Sequence, residues 1–96
     1  MLIANKAHTP EEYLNVSLLY YNHGLYLQTI DACKKAIALN PNFALAYNNM
    51  CSAYNMLKMW DAAIEAGKKA VALAPDNQLA KNNLAVAEKA KAVRAQ

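Results

Sequence analysis

Shifted by 34 residues, the chain matches itself. Ile30 to Pro41 reads IDACKKAIALNP and Ile64 to Pro75 reads IEAGKKAVALAP; eight of twelve positions are identical, and Asp31/Glu65 and Ile37/Val71 are conservative. The register extends upstream through Tyr13 and Tyr47, Asn15 and Asn49, and Tyr20 and Tyr54. Downstream, Leu45-Ala46 returns as Leu79-Ala80, and Asn48-Asn49 as Asn82-Asn83. A unit of this length that occurs twice in full and once in half cannot bury an apolar face alone, so it must stack on its neighbours.

Each unit reads as two amphipathic helices, because apolar residues return at the i, i+3, i+4, i+7 spacing of one helical face. Tyr13, Val16, Ser17 and Tyr20 form the first stripe, and Tyr47, Met50, Cys51 and Tyr54 occupy the same places one repeat later. The partner helices are expected over about Tyr26 to Leu39 and Trp60 to Leu73. The first would bury Ile30, Cys33, Ala36 and Ile37, and the second Ala63, Ile64, Gly67, Ala70 and Val71; their small residues admit close helix approach. Thr9-Pro10-Glu11-Glu12 combines an N-cap hydroxyl, a proline at the first helical position and a glutamate three residues after the cap. Gly24 fits a left-handed residue closing the first helix, while Asn40-Pro41-Asn42 and Ala74-Pro75-Asp76 are expected to end one helix and cap the next. With only two glycines and three prolines, the chain is expected to be all-α: five helices in an α-solenoid of antiparallel hairpins.

A 34-residue helical hairpin with aromatic, small and terminal proline residues at fixed offsets resembles the tetratricopeptide repeat. The matching residues are Tyr20, Gly24, Tyr26, Ala36 and Pro41 in the first unit, then Tyr54, Trp60, Ala63, Ala70 and Pro75 in the second. Thr29 and Cys33 stand where the family favours alanine and an aromatic, and Lys58 and Gly67 depart similarly in the second unit. The expected organisation is an N-terminal extension over 1–9, one unit over 10–43, a second over 44–77, and a capping helix with its tail over 78–96. Lys81 and Glu88 replace the tyrosines of the earlier units, so the helix from about Asn77 to Val93 is expected to solvate the end of the stack. At the other end, Leu14 and Leu18 stand where the second unit has Asn48 and Ser52. Three explanations are open: Met1 to Ile3 folds over them, the chain self-associates there as a homo-oligomer, or it belongs to a longer array.

The resemblance implies that first helices line a concave groove and that the chain binds a protein or peptide partner, as a scaffold would. By register the groove presents Leu14, Asn15, Leu18, Tyr21 and Asn22, then Leu45, Asn48, Asn49, Ser52 and Asn55, then Leu79, Asn82, Asn83, Val86 and Lys89. Asn15, Asn49 and Asn83 are one repeat apart and should form a row. A carboxamide both donates and accepts, so such a row can read the backbone of an extended peptide without needing a particular side chain. It resembles the asparagine ladder of protein O-GlcNAc transferases. The competing reading is that these amides only solvate the groove or bond a neighbouring helix. The carboxylate clamp that some members use for chaperone tails is absent, since Leu14, Leu18, Leu79 and Asn83 hold its places. Tyr21 is the expected aromatic contact.

Other functions find little footing. The net charge of +3 is too small to indicate nucleic-acid binding, and Lys34-Lys35, Lys68-Lys69, Lys89, Lys91 and Arg94 read as a solvated convex face because Asp31, Asp61 and Glu65 are interspersed. A basic stripe for an anionic partner is the alternative. No apolar run approaches the roughly 20 residues that cross a bilayer, and Met1-Leu2-Ile3 is no secretory leader, so no membrane partner and a cytoplasmic setting are expected. Cys33 and Cys51 lack metal-ligand spacing and fall on buried faces; His8 and His23 have no catalytic company. No cofactor, metal or enzymatic activity is expected.

Overall fold

The computed structural model describes residues 8–94, which form α1 (Pro10–Asn22), α2 (Tyr26–Leu39), α3 (Ala44–Met56), α4 (Trp60–Leu73) and α5 (Gln78–Arg94). The limits of α2 and α4 are those read from the sequence. Met1 to Ile3, one candidate cover for Leu14 and Leu18, lie outside the described residues.

Thr9 starts α1 through a complete capping box: the Glu12 amide donates to Thr9 Oγ1 at 3.1 Å and the Thr9 amide donates to Glu12 Oε1 at 2.8 Å. The bond from the Thr9 amide is the main reason the Glu12 carboxyl titrates below its ordinary value. The other caps differ from expectation. Asn42 and Asp76 do not cap the helices that follow. Phe43 precedes α3 with no side-chain bond, Asn40 Oδ1 instead closes a local turn by accepting from the Asn42 amide, and Asn77 Oδ1 accepts from the Ala80 amide at the start of α5. Turn residues follow each proline, and α3 and α5 begin three residues after it, at Ala44 and Gln78, so the capping position lies beyond Asn42 and Asp76.

Both hairpin turns close in the same way. The Leu25 amide donates to Tyr20 O and the Met59 amide to Tyr54 O, each at 2.9 Å, across a left-handed residue. That residue is Gly24 (φ 73°) in the first turn and Lys58 (φ 59°) in the second. A Cβ in this region costs about 1–2 kcal/mol, part of which a glycine returns through its looser unfolded chain. Lys58→Gly is therefore expected to stabilise the protein by about 0.5–1 kcal/mol, seen as a higher urea midpoint. An unchanged or lower midpoint contradicts the assignment.

α1 packs on α2 and α3 on α4, and each hairpin leans on the next helix. The first helices also touch one another, α1 with α3 and α3 with α5, whereas α2 and α4 do not meet. Thus α1, α3 and α5 form a contiguous inner layer, α2 and α4 splay apart outside it, and α3 alone touches all four other helices. The molecule measures 47 × 26 × 18 Å. Its buried core is mostly alanine, with Cys33, Cys51, Ile30 and Met50, and the half-buried tyrosines pack around it. Close approach is greatest at Gly67, where an added Cβ would lie 3.1 Å from Leu84 Cβ and Cδ1 and 3.2 Å from Cys51 Sγ. Leu84 of α5 fills the space that a side chain at 67 would take. Thr29, another departure from the repeat pattern, is fully buried and satisfies its hydroxyl on Leu25 O at 2.9 Å. Lys81 and Glu88 are exposed, as expected of a solvating helix.

Candidate functional site: the inner groove

The inner layer brings the expected asparagine row together, but its three members stand in different environments. Asn15 is exposed on α1 and has no partner among the described residues. Asn49, half-buried on α3, donates from Nδ2 to Ser17 Oγ on α1 at 3.4 Å. Asn83 on α5 donates from Nδ2 to both Asn48 Oδ1 and Ser52 Oγ on α3, each at 2.8 Å. Asn55 Nδ2 completes the α3–α5 junction by donating to Asn83 O at 3.0 Å. The donor halves of Asn49 and Asn83 therefore tie neighbouring first helices together, as the structural alternative foresaw. Their acceptor oxygens make no bond and are not buried.

Several expected contacts are positioned otherwise. Asn48 lies under Asn83 at 8% exposure, because α5 covers it. Asn55 Oδ1 is buried without a partner. Asn82 is exposed and accepts from Gln78 within its own helix at 2.9 Å. Tyr21 is half-buried and packs edge-on against Tyr26, with ring centroids 5.4 Å apart; burial, then the neighbouring Tyr26, raises its pKa. Asn22 and Lys89 are exposed. Of the two leucines at the first hairpin, Leu14 packs on the core while Leu18 stays 42% exposed. Leu45, Leu79 and Val86 are exposed, as is Met56, which stands one repeat after Asn22. Met56 was not singled out from the sequence, although that register would have found it. The groove thus alternates amide oxygens with exposed apolar side chains.

The thiols are structural. Ser17 is fully buried and donates its hydroxyl to Leu14 O at 2.6 Å. Burial pushes Cys33 up to about 11, against a smaller opposing effect of a Ser17 hydrogen bond, and burial alone pushes Cys51 up to about 11. Both are expected to be inert to Ellman's reagent at pH 8 until urea unfolds the chain, with two equivalents released afterwards. Prompt labelling of the folded protein contradicts this. A thiol held protonated by folding stabilises the fold fully below its unfolded value near 9, and that contribution is lost as pH rises towards about 11. A Cys33→Ala, Cys51→Ala variant should accordingly lose less stability between pH 9 and 11 than the parent.

No protein-family model matches the chain, and no curated protein is detectably similar to it in sequence. Solved structures are similar. The first TPR domain of human RPAP3 aligns with a TM-score of 0.85 at 24% identity, over 91% of this chain and 68% of that one. The first TPR of Spaghetti (RPAP3), bound to the HSP90 peptide SRMEEVD, aligns at 0.84 and 25% identity over 88% and 67%. MamA aligns at 0.83 and 29% identity, over 91% of this chain but 48% of its own. With a 34-residue period, paired helices, repeated left-handed turns and these neighbours, the chain has the tetratricopeptide-repeat fold.

Proposed function

We propose that the chain is a protein-interaction module that holds an extended polypeptide segment along α1, α3 and α5. The observation that carries this reading is the row of unpaired carboxamide oxygens on Asn15, Asn49 and Asn83 beside the exposed Leu45, Leu79 and Val86. With the Asn49 and Asn83 donors engaged, the row chiefly accepts, so it suits peptide N–H groups, while apolar side chains of the segment lie against the leucines and valine. The solved neighbour that carries an HSP90 peptide makes peptide binding a use this fold supports. An acidic chaperone tail is not the ligand favoured here, because Leu14, Leu18 and Leu79 offer no cation.

The test is peptide display against the intact chain, followed by fluorescence anisotropy on the tightest peptide. Asn15→Ala, Asn49→Ala should weaken binding about tenfold, at roughly 0.5–1.5 kcal/mol for each lost hydrogen bond, with the circular dichroism spectrum unchanged. Asn83 is omitted because it also joins α3 to α5. Unchanged affinity in the double variant rejects the reading.

A further inference from the structure

The splay of α2 and α4 opens a second concavity on the opposite side of the molecule. It is a trough of about 630 Å³ with the outward face of α3 as its floor, where Tyr47, Met50 and Tyr54 lie. Lys34 of α2 stands on one wall, and Lys68 and Lys69 of α4 on the other. Glu65 is the one acidic residue lining it. The trough lysines differ from Lys35 and Lys91 of the convex side. Lys35 pairs with Asp31 at 3.2 Å and Lys91 with Asp61, whereas Lys34, Lys68 and Lys69 enter no ion pair among the described residues. Lys69 Nζ instead lies 6.0 Å from the Tyr47 ring centroid, near the limit of a cation–π contact.

The first repeat shows what such a floor accepts. Tyr13, one repeat before Tyr47, is met edge-on by His8, with centroids 5.5 Å apart, in a hollow also lined by Lys35, Ala38 and Leu39. Lys35 and Ala38 correspond by register to Lys69 and Ala72 of the larger trough. Chain that leads into α1 thus sets a ring edge-on to the tyrosine of the first repeat, whereas Tyr47 has no aromatic ring paired with it among the described residues.

We propose that the trough between α2 and α4 is a docking surface for an acidic polypeptide segment with an aromatic or large apolar anchor. The anchor seats on Tyr47 and Tyr54, and carboxylates flanking it reach Lys34 on one wall and Lys68 and Lys69 on the other. Charge complementarity selects the occupant: three unpaired cations against one carboxylate, around an apolar floor, match a segment that is negative at its flanks and apolar at its centre. A nucleic acid would need the cations to follow a continuous backbone track, and here they cluster on two short walls. This surface is independent of the inner groove and lies on other helix faces.

The test uses a fluorescein-labelled peptide, Glu-Glu-Trp-Glu-Glu-Leu-Glu-Glu, titrated with the intact protein at low salt and followed by anisotropy. Binding is expected, weakening several-fold when salt rises from 50 to 200 mM. Lys34→Gln, Lys69→Gln should reduce affinity about tenfold, and a peptide with every glutamate replaced by lysine should not bind. Asn15→Ala, Asn49→Ala should bind the acidic peptide like the parent, which separates this proposal from that of the inner groove. Chemical-shift changes in the protein are expected at Lys34, Tyr47 and Lys69. Unchanged affinity in the lysine variant overturns the proposal, as does tighter binding of single-stranded oligothymidine or anionic phosphatidylserine vesicles than of the peptide. Shifts confined to α1 and α5 would also overturn it.

Discussion

Gly67→Phe is expected to destabilise the protein by about 3 kcal/mol, near the upper end for overpacking a closed contact. A single Cβ at this position already meets Leu84 and Cys51 at 3.1–3.2 Å, and the position is buried, so a benzyl group must displace its neighbours. The repeat pattern favours an aromatic at this place, so a change towards the pattern should damage this chain, because α5 has moved Leu84 into the space. Gly67→Ala should be close to neutral: roughly 1 kcal/mol of helix propensity opposes a displacement of Leu84 by a few tenths of an ångström. The urea midpoint of each variant provides the measurement. Leu84→Ala added to Gly67→Phe should recover at least about 1 kcal/mol, the range seen for side chains in contact. Failure to recover would mean that the clash lies elsewhere.

The second large effect separates three asparagines that the sequence presents as equivalents. Asn83→Ala should cost about 2 kcal/mol, because it removes two hydrogen bonds and leaves Asn48, 8% exposed, with a buried acceptor unpaired. Asn49→Ala breaks one long bond to Ser17 and should cost about 0.5 kcal/mol. Asn15→Ala should change stability by less than about 0.5 kcal/mol, as an exposed position with no partner does. Urea titration of the three single variants reads this gradient directly. Equal costs at all three positions would contradict the network between α3 and α5.

That gradient marks where the sequence stops being informative. Helix limits are encoded locally, by the spacing of Ile30, Cys33 and Ala36 and by Thr9-Pro10, so α1, α2 and α4 could be read with little ambiguity. Gly24 likewise declared its left-handed turn, and its counterpart Lys58 adopts the same conformation against its own preference because the flanking helices impose it. The environment of an amide depends instead on which helix lies across it. Asn15, Asn49 and Asn83 share one register, yet only Asn83 meets both an asparagine and a serine on the helix before it, since Leu14 and Leu18 hold those two places ahead of Asn49. The expectation of an open row therefore captured the alignment of the residues and not the bonds that their donors make. The outer trough was equally hidden. Helical periodicity says that Tyr47 and Tyr54 share a face, but the separation of α2 from α4 that uncovers this face is a property of packing angles.

The position of α3 has a kinetic meaning as well. Among the described residues, helices pack only on helices that are adjacent or next-adjacent in the chain, so no long loop must close before a packing surface can form. The stability of such a stack is approximately a sum of unit and nearest-neighbour interface contributions, so an element with more neighbours is held more firmly. Only α3 touches all four other helices, so it is expected to be the last element to surrender when the ends fray. The helix that presents Asn49 to the inner groove and Tyr47 to the outer trough is thus also expected to be the one least able to yield, so a partner on either proposed surface would dock against the stiffest part of the molecule.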